Sequence, residues 1–99
     1  MRMYDIAVAS QPLQKLIEQD LPLRKAYELA MLVTKLNPLL SFYGEQLMQG
    51  RDQAELNGLE IDLDVRRVEL TLDTDVRLSA GDIKCLEPFV LFAEATDND

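Results

Sequence analysis

Histidine and tryptophan are absent from this sequence of 99 residues. Without histidine, the chain lacks the Ser–His and Cys–His pairs that activate nucleophiles, and it lacks imidazole metal ligands. Its four glycines are scattered along the chain, which excludes a glycine-rich loop for phosphate. These absences predict that the protein is not an enzyme and has no catalytic residue and no cofactor.

Cysteine is also scarce. The lone Cys85 cannot form an internal disulfide, which favours a reducing, intracellular setting. It lies between Ile83 and Leu86 on a predicted short helix, and we interpret it as a small buried hydrophobe rather than a reactive thiol. No apolar run approaches the ~20 residues of a membrane span, so we expect no membrane contact.

Apolar residues make up 47% of the chain and charged residues 28%, which is typical of a single soluble globular domain, here 1–99. We divide it into a helical half at 1–50, a strand-rich half with a short helix at 57–92, and an acidic tail at 93–99. The predicted fold class is α+β.

The net charge of −8 is unevenly distributed. Residues 1–54 carry six acids and six bases, whereas residues 55–99 carry twelve acids and four bases. The second half would be repelled by phosphate, and we therefore expect no direct nucleic-acid binding. A basic protein partner, or no charged partner, fits this distribution better.

The first half has helical periodicity. We predict a helix at 11–19, where Ser10 and Pro12 suit a helix start, and a long helix at about 22–49. The long helix continues through Pro38 in this interpretation, with a kink, because its apolar spacing keeps its phase there. That spacing defines a seam of six residues: Leu29, Val33, Leu36, Leu40, Tyr43 and Leu47.

Two interpretations of the seam are open. The seam residues pack on the first helix and the sheet, or they mediate self-association. A helix of roughly 27 residues is ~40 Å long, and a first helix of about ten residues covers less than half of it. The remainder needs the sheet or a second chain.

The second half changes to a period of two. The stretch "LEIDLDV" at 59–65 predicts one strand and "RRVELTLD" a second, within a small, mostly antiparallel sheet. A loop is predicted at 50–58, and Val76 and Leu78 suggest a further short strand. Ser79 and Asp82 form a variant capping box that opens a short helix, with Ile83 and Leu86 expected to face inward.

The first predicted strand places Glu60, Asp62 and Asp64 on one face. This row is a solvated surface, a face for a basic partner, or a metal or catalytic site. Calcium loops require glycine at the sixth position, and counting from Asp62 or Asp73 gives arginine or leucine there. We therefore expect no metal site and favour the first two alternatives.

Two stretches resemble small uncharacterised proteins of tailed bacteriophages and prophages. One is "MYDIAVASQPLQKLIEQDLPLRKAYELAMLVTKLN", with its Leu-Pro step and Ala-Tyr-x-Leu-Ala core, and the other is "VRLSAGDIKCLEPFV", with Ser-x-x-Asp before Leu-Glu-Pro-Phe. Together they cover about half the chain. The sequence departs from the family pattern at Pro38 and in its short region between helix and sheet. The resemblance implies a phage origin, in the host cytoplasm or the virion, and no known catalysis.

The sequence thus supports two hypotheses about function. In the first, the protein acts by contact with a phage or host protein, as a virion assembly accessory or an adaptor, with self-association through the long helix as an option. In the second, its acidic half inhibits a host or defence nucleic-acid-binding protein by mimicking phosphate.

Overall fold

The computed structural model describes residues 1–94, in which helices dominate and two strands form a small sheet. The α+β prediction is confirmed, with a helical pair at the N-terminus and a short helix near the C-terminus. Most of the predicted acidic tail, residues 95–99, lies outside the described residues. In chain order the elements are α1 (Met3–Ile17), α2 (Leu23–Met48), α3 (Gln53–Asn57), β1 (Val68–Thr71), α4 (Ala80–Leu86) and β2 (Val90–Ala93).

Helix α1 begins at Met3, eight residues earlier than predicted, and Pro12 lies inside it rather than near its start. The backbone N–H of Arg2 donates to Asp5 Oδ2 at 3.1 Å, which caps the first turn. The proline removes one helical donor, and burial of its ring within the core face offsets that loss. This face has helical spacing throughout and is formed by Met3, Ile6, Ala9, Leu13 and Leu16.

Helix α2 runs unbroken through Pro38, as predicted. Gly50, with a φ of +87°, ends it in a left-handed conformation that glycine adopts without steric cost. Two backbone bonds close this end, from Gly50 N to Leu47 O and from Arg51 N to Gln46 O, each at 3.0 Å. They are the pair of bonds of a Schellman motif, so the stop signal is local in the sequence.

The segment 59–65 is extended, but the prediction of a strand there is wrong. Its pairing is one antiparallel bridge, between Arg2 and Glu60, flanked by bonds from Met3 N to Leu59 O at 2.8 Å and from Ile61 N to Met1 O at 2.7 Å. The pairing ends at once because Met3 already begins α1. A helical turn therefore replaces the partner strand that a longer ladder would need.

The predicted loop at 50–58 contains the short helix α3. Asp52 caps it, with its Oδ1 accepting the Ala54 N–H at 3.4 Å, and Leu56 is buried. The polar composition of this stretch predicted a loop because Leu56 is the one residue of the helix that is buried.

The sheet is parallel, which corrects the mostly antiparallel prediction. Strand β1 pairs with β2 in the register Val68 to Val90, and its flanking bonds run from Val68 N to Phe89 O at 2.9 Å and from Leu72 N to Ala93 O at 2.8 Å. Residues 72–89, including α4, make the crossover that a parallel pair requires. The suggested strand at Val76 and Leu78 is absent from the described residues 72–79, which are irregular.

The capping box of α4 is confirmed. Ser79 Oγ accepts the Asp82 N–H and Asp82 Oδ2 accepts the Ser79 N–H, both at 3.0 Å. Leu86 is fully buried, as expected, but Ile83 is 38% exposed and lies outside the core cluster, which corrects its predicted inward orientation. Cys85 is half-buried.

The core draws on both halves of the chain. Helix α1 packs against α2, α3 and α4, and α2 also packs against β1. The buried cluster consists of Met3, Ile6, Ala9, Leu13, Leu16, Leu29, Leu32, Leu36, Val68, Leu70, Leu86, Phe89 and Val90.

Candidate protein-interaction surfaces

The predicted seam of α2 faces the interior. Leu29 and Leu36 are completely buried, and Val33 and Leu40 are half-buried against the core. Of the two interpretations, internal packing accounts for these positions and leaves no surface for a second chain at Leu29 or Leu36. Leu32, one turn from Leu29, is also buried. It was not predicted because the seam steps directly from Leu29 to Val33, whereas the apolar face of a packed helix is wider than such a seam.

The far end of the seam is covered by α3. The hydroxyl of Tyr43 lies 2.8 Å from Asn57 Oδ1, to which it donates, and it accepts from Gln53 Nε2 at 3.2 Å. Leu47, the last seam residue, is half-buried. Helix α3 of the same chain therefore covers this end of α2, which was expected to need the sheet or a second chain.

The acidic row has the orientation that the alternation predicted, although it lies on an extended segment without a ladder. Ile61 and Leu63 pack against the core, while Glu60, Asp62 and Asp64 are exposed. Glu60 Oε2 lies 3.4 Å from the N-terminal ammonium group. Within residues 1–94, no three His, Cys, Asp or Glu side chains are grouped as a metal site.

A groove of about 440 Å³ lies between the N-terminal half of α2 and the segment 65–69, and sequence analysis did not predict it. Tyr27 and Met31 stand in it with 64% and 45% of their surfaces exposed. Leu23, one turn before Tyr27, is 86% exposed. We call Leu23, Tyr27 and Met31, spaced four residues apart, the apolar stripe.

The groove is basic in an acidic protein. Its walls carry the cations Lys25, Lys35, Arg66 and Arg67 against the anions Glu28 and Glu69.

Within residues 1–94, an ion pair neutralises only one of these cations, Lys25, whose ammonium group lies 3.5 Å from Glu28. Lys35 and Arg67 each donate at 3.4 Å to a backbone carbonyl, that of Asp64 and that of Glu87, and so keep their net charge. Arg66 and Arg67 are adjacent and make up half of the four bases in residues 55–99. This pair is the feature of the sequence that could have indicated a basic site.

No helix in the described part of the chain is both long enough and apolar enough to cross a membrane. In comparisons with known proteins, no family model matches the chain, and no curated protein or solved structure matches it. The resemblance to phage proteins therefore depends on the two sequence stretches alone.

Proposed function

We propose that this chain is a non-enzymatic, phage-type protein that acts by contact with another protein, as a virion assembly accessory or an adaptor. The observation that carries the proposal is the apolar stripe. Single exposed apolar residues are ordinary on protein surfaces, but a continuous set beside a groove is typical of interaction sites. Leu23, Tyr27 and Met31 form such a set on α2, whose other side packs in the core through Leu29, Leu32 and Leu36.

The two sequence stretches support the phage assignment, and with it a site of action in the host cytoplasm or in the virion. The partner in this proposal is a phage or host protein. Five of the six seam residues do not provide the contact surface, because they lie in the core or pack against it: Leu29, Val33, Leu36, Leu40 and Tyr43.

A pull-down tests this proposal. The tagged chain is incubated with host lysate, with and without co-expressed virion proteins, beside a variant carrying Leu23→Ser, Tyr27→Ser and Met31→Ser. The matched control replaces Phe42, Met48 and Leu72, which are also exposed apolar residues elsewhere. We expect the stripe variant to lose a virion or host protein that the wild type and the control retain. Equal recovery by all three would contradict the proposal.

A second candidate is inhibition of a basic host or defence protein by phosphate mimicry. The exposed row of Glu60, Asp62 and Asp64 favours it, because the side chains project from one side of an extended segment at intervals of about 6–7 Å. A host nuclease or polymerase among the recovered proteins supports this candidate.

A further inference from the structure

We infer that the basic groove binds an extended acidic segment of the partner protein, which adds as a strand to the free edge of β1. This inference depends on the proposed function, since it assigns the chemistry of the partner at the surface beside the apolar stripe. It follows from the backbone of β1, the charge of the groove and the position of its exposed apolar side chains.

One edge of β1 pairs with β2 and the other edge pairs with no strand in the described part of the chain. Val68 and Leu72 donate their N–H groups toward β2, to the carbonyls of Phe89 and Ala93. Backbone groups of successive strand residues point to opposite edges, so those of Glu69 and Thr71 point away from β2. The Thr71 carbonyl already accepts the Thr74 N–H at 3.0 Å, which leaves the N–H and C=O of Glu69 as the backbone groups of this edge beside the groove. Val68 and Glu69 line the groove together with α2, whereas no residue of β2 does, which places the groove on this open side. A two-stranded sheet with such an edge is a template for strand addition.

The groove has an excess of positive charge. Lys35, Arg66 and Arg67 bring three positive charges to the groove without a carboxylate partner among residues 1–94. Negative charge on a ligand therefore favours its binding between these three cations. With Glu28 and Glu69 in its walls, the groove has four cations against two anions and keeps a balance of +2.

The exposed apolar side chains of the groove suit the alternating side chains of an extended peptide. Successive side chains of a bound strand point to opposite sides. One set would reach the two arginines, while the other would pack against Tyr27 and Met31, which stand exposed on the helical wall. The expected ligand therefore alternates acidic and apolar residues.

Single-stranded nucleic acid is the competing ligand, since cations and an exposed tyrosine also suit it. Two features disfavour it. Glu28 and Glu69 stand in the groove walls, and the acidic row at 60–64 directly precedes the segment that forms one wall. A short peptide can end before that row, and it can also use the backbone groups of the open edge.

The probe for the test is a fluorescein-labelled peptide with three Glu-Val repeats and blocked ends, measured by fluorescence anisotropy on the full chain. Comparison peptides replace Glu with Gln, or carry N-methyl groups on the backbone amides that face β1. A short oligothymidylate tests the nucleic-acid alternative. We expect saturable binding of the acidic peptide, and binding weakened about tenfold or more for the Gln peptide and for the N-methylated peptide.

The variant Arg66→Gln with Arg67→Gln removes two groove cations, and its matched control is Arg77→Gln with Lys84→Gln, which removes two cations outside the groove. We expect the first to weaken peptide binding about tenfold and the control to change it less than about twofold. Arg66→Gln alone is a second test, because among residues 1–94 the Arg66 side chain makes no hydrogen bond or ion pair. Urea unfolding checks that each variant is folded.

Several results would overturn the inference: no saturable peptide binding, equal effects of the two double variants, equal binding of the Gln peptide, or tighter binding of oligothymidylate. Equal binding of the N-methylated peptide would overturn strand addition. A dimer in sedimentation that the peptide does not displace would identify a second copy as the occupant instead.

Photo-crosslinking separates this inference from the proposed function. The photoreactive residue p-benzoylphenylalanine replaces Met31, and the chain is irradiated in cells that co-express the virion proteins. A covalent adduct to a virion protein would support the proposed function even if the acidic peptide does not bind. In that case the stripe meets a partner, and the acidic, extended chemistry assigned to it is wrong. Peptide binding that depends on Arg66 and Arg67, without any adduct, would uphold the groove chemistry and count against a contact during assembly.

Discussion

The ammonium group of Lys15 lies 3.0 Å from the carboxylate of Asp82 and joins the last turn of α1 to the first turn of α4. Asp82 Oδ2 also accepts the Ser79 N–H, so one oxygen both caps α4 and docks it on α1. The Ser79 backbone N–H, and then the Lys15 ammonium group, lower the pKa of Asp82 from its usual value.

Asp82→Asn is expected to lower the free energy of unfolding near neutral pH. Because the folded-state pKa is lowered, the carboxylate stabilises the fold above the unfolded-state pKa of about 3.9, and this contribution is lost as the pH falls through the folded-state pKa. The free energy of unfolding measured with urea should therefore be lower for the variant than for the wild type near neutral pH. The two values should converge in strong acid. Asp73→Asn, an exposed change, is the control. A gap that persists in strong acid would contradict the role of the charge.

Local signals explain the correct predictions. The seam from Leu29 to Leu47 keeps one helical phase, and the Ser79–Asp82 capping box is complete within four residues. Both can be recognised in the sequence because the interacting residues are near neighbours in the chain.

Distant partners explain the errors. Arg2 and Glu60, which form a bridge, lie far apart in the sequence. The parallel direction of β2 relative to β1 depends on the crossover through α4. The groove likewise combines residues from α2 with Arg66 and Arg67, which only the folded chain brings together. Pro12 misled the prediction for a different reason: burial of its ring is a tertiary effect that overrides its local tendency to break a helix.

The two leucines of the seam differ in burial and should differ in their contribution to stability. Leu36 is 1% exposed, so Leu36→Ala should cost about 2–5 kcal/mol, including the cavity that it leaves. Leu40 is half-buried, so Leu40→Ala should cost about 1–2 kcal/mol. Urea unfolding of the two variants measures both values. An unchanged midpoint for Leu36→Ala would show that α2 is rotated relative to the structure.

Pro38→Ala is expected to stabilise the protein. Pro38 is exposed in the interior of α2, where proline removes a helical hydrogen bond and costs about 3 kcal/mol relative to alanine. Because the helix continues through this residue, alanine fits without other changes, and we expect a gain of about 1–3 kcal/mol. Pro12→Ala is the contrast, since it removes a buried ring and should gain less or destabilise. Thermal unfolding followed by circular dichroism compares the two. A lower midpoint for Pro38→Ala than for wild type would show that a bend at this residue is required by the packing.

The last prediction concerns the acidic row and decides between the two candidate functions at that face. Replacing Glu60 with Gln and both Asp62 and Asp64 with Asn removes three exposed negative charges. Stability should change little or rise slightly, because the ion pair between Glu60 and the N-terminus is exposed and repulsion in the acidic half is relieved. The matched control replaces Asp20, Asp73 and Asp75 with Asn, which removes the same charge from elsewhere on the surface.

Association of each form with the recovered partner is then measured at two salt concentrations. If the row mimics phosphate, the triple variant should associate more slowly than the control and its rate should depend less on salt, because exposed charges at an interface act mainly on the association rate. If the row is a solvated surface, the triple variant and the control should associate at equal rates at both salt concentrations. That second result would remove phosphate mimicry from this face and leave the apolar stripe and the basic groove to account for partner binding.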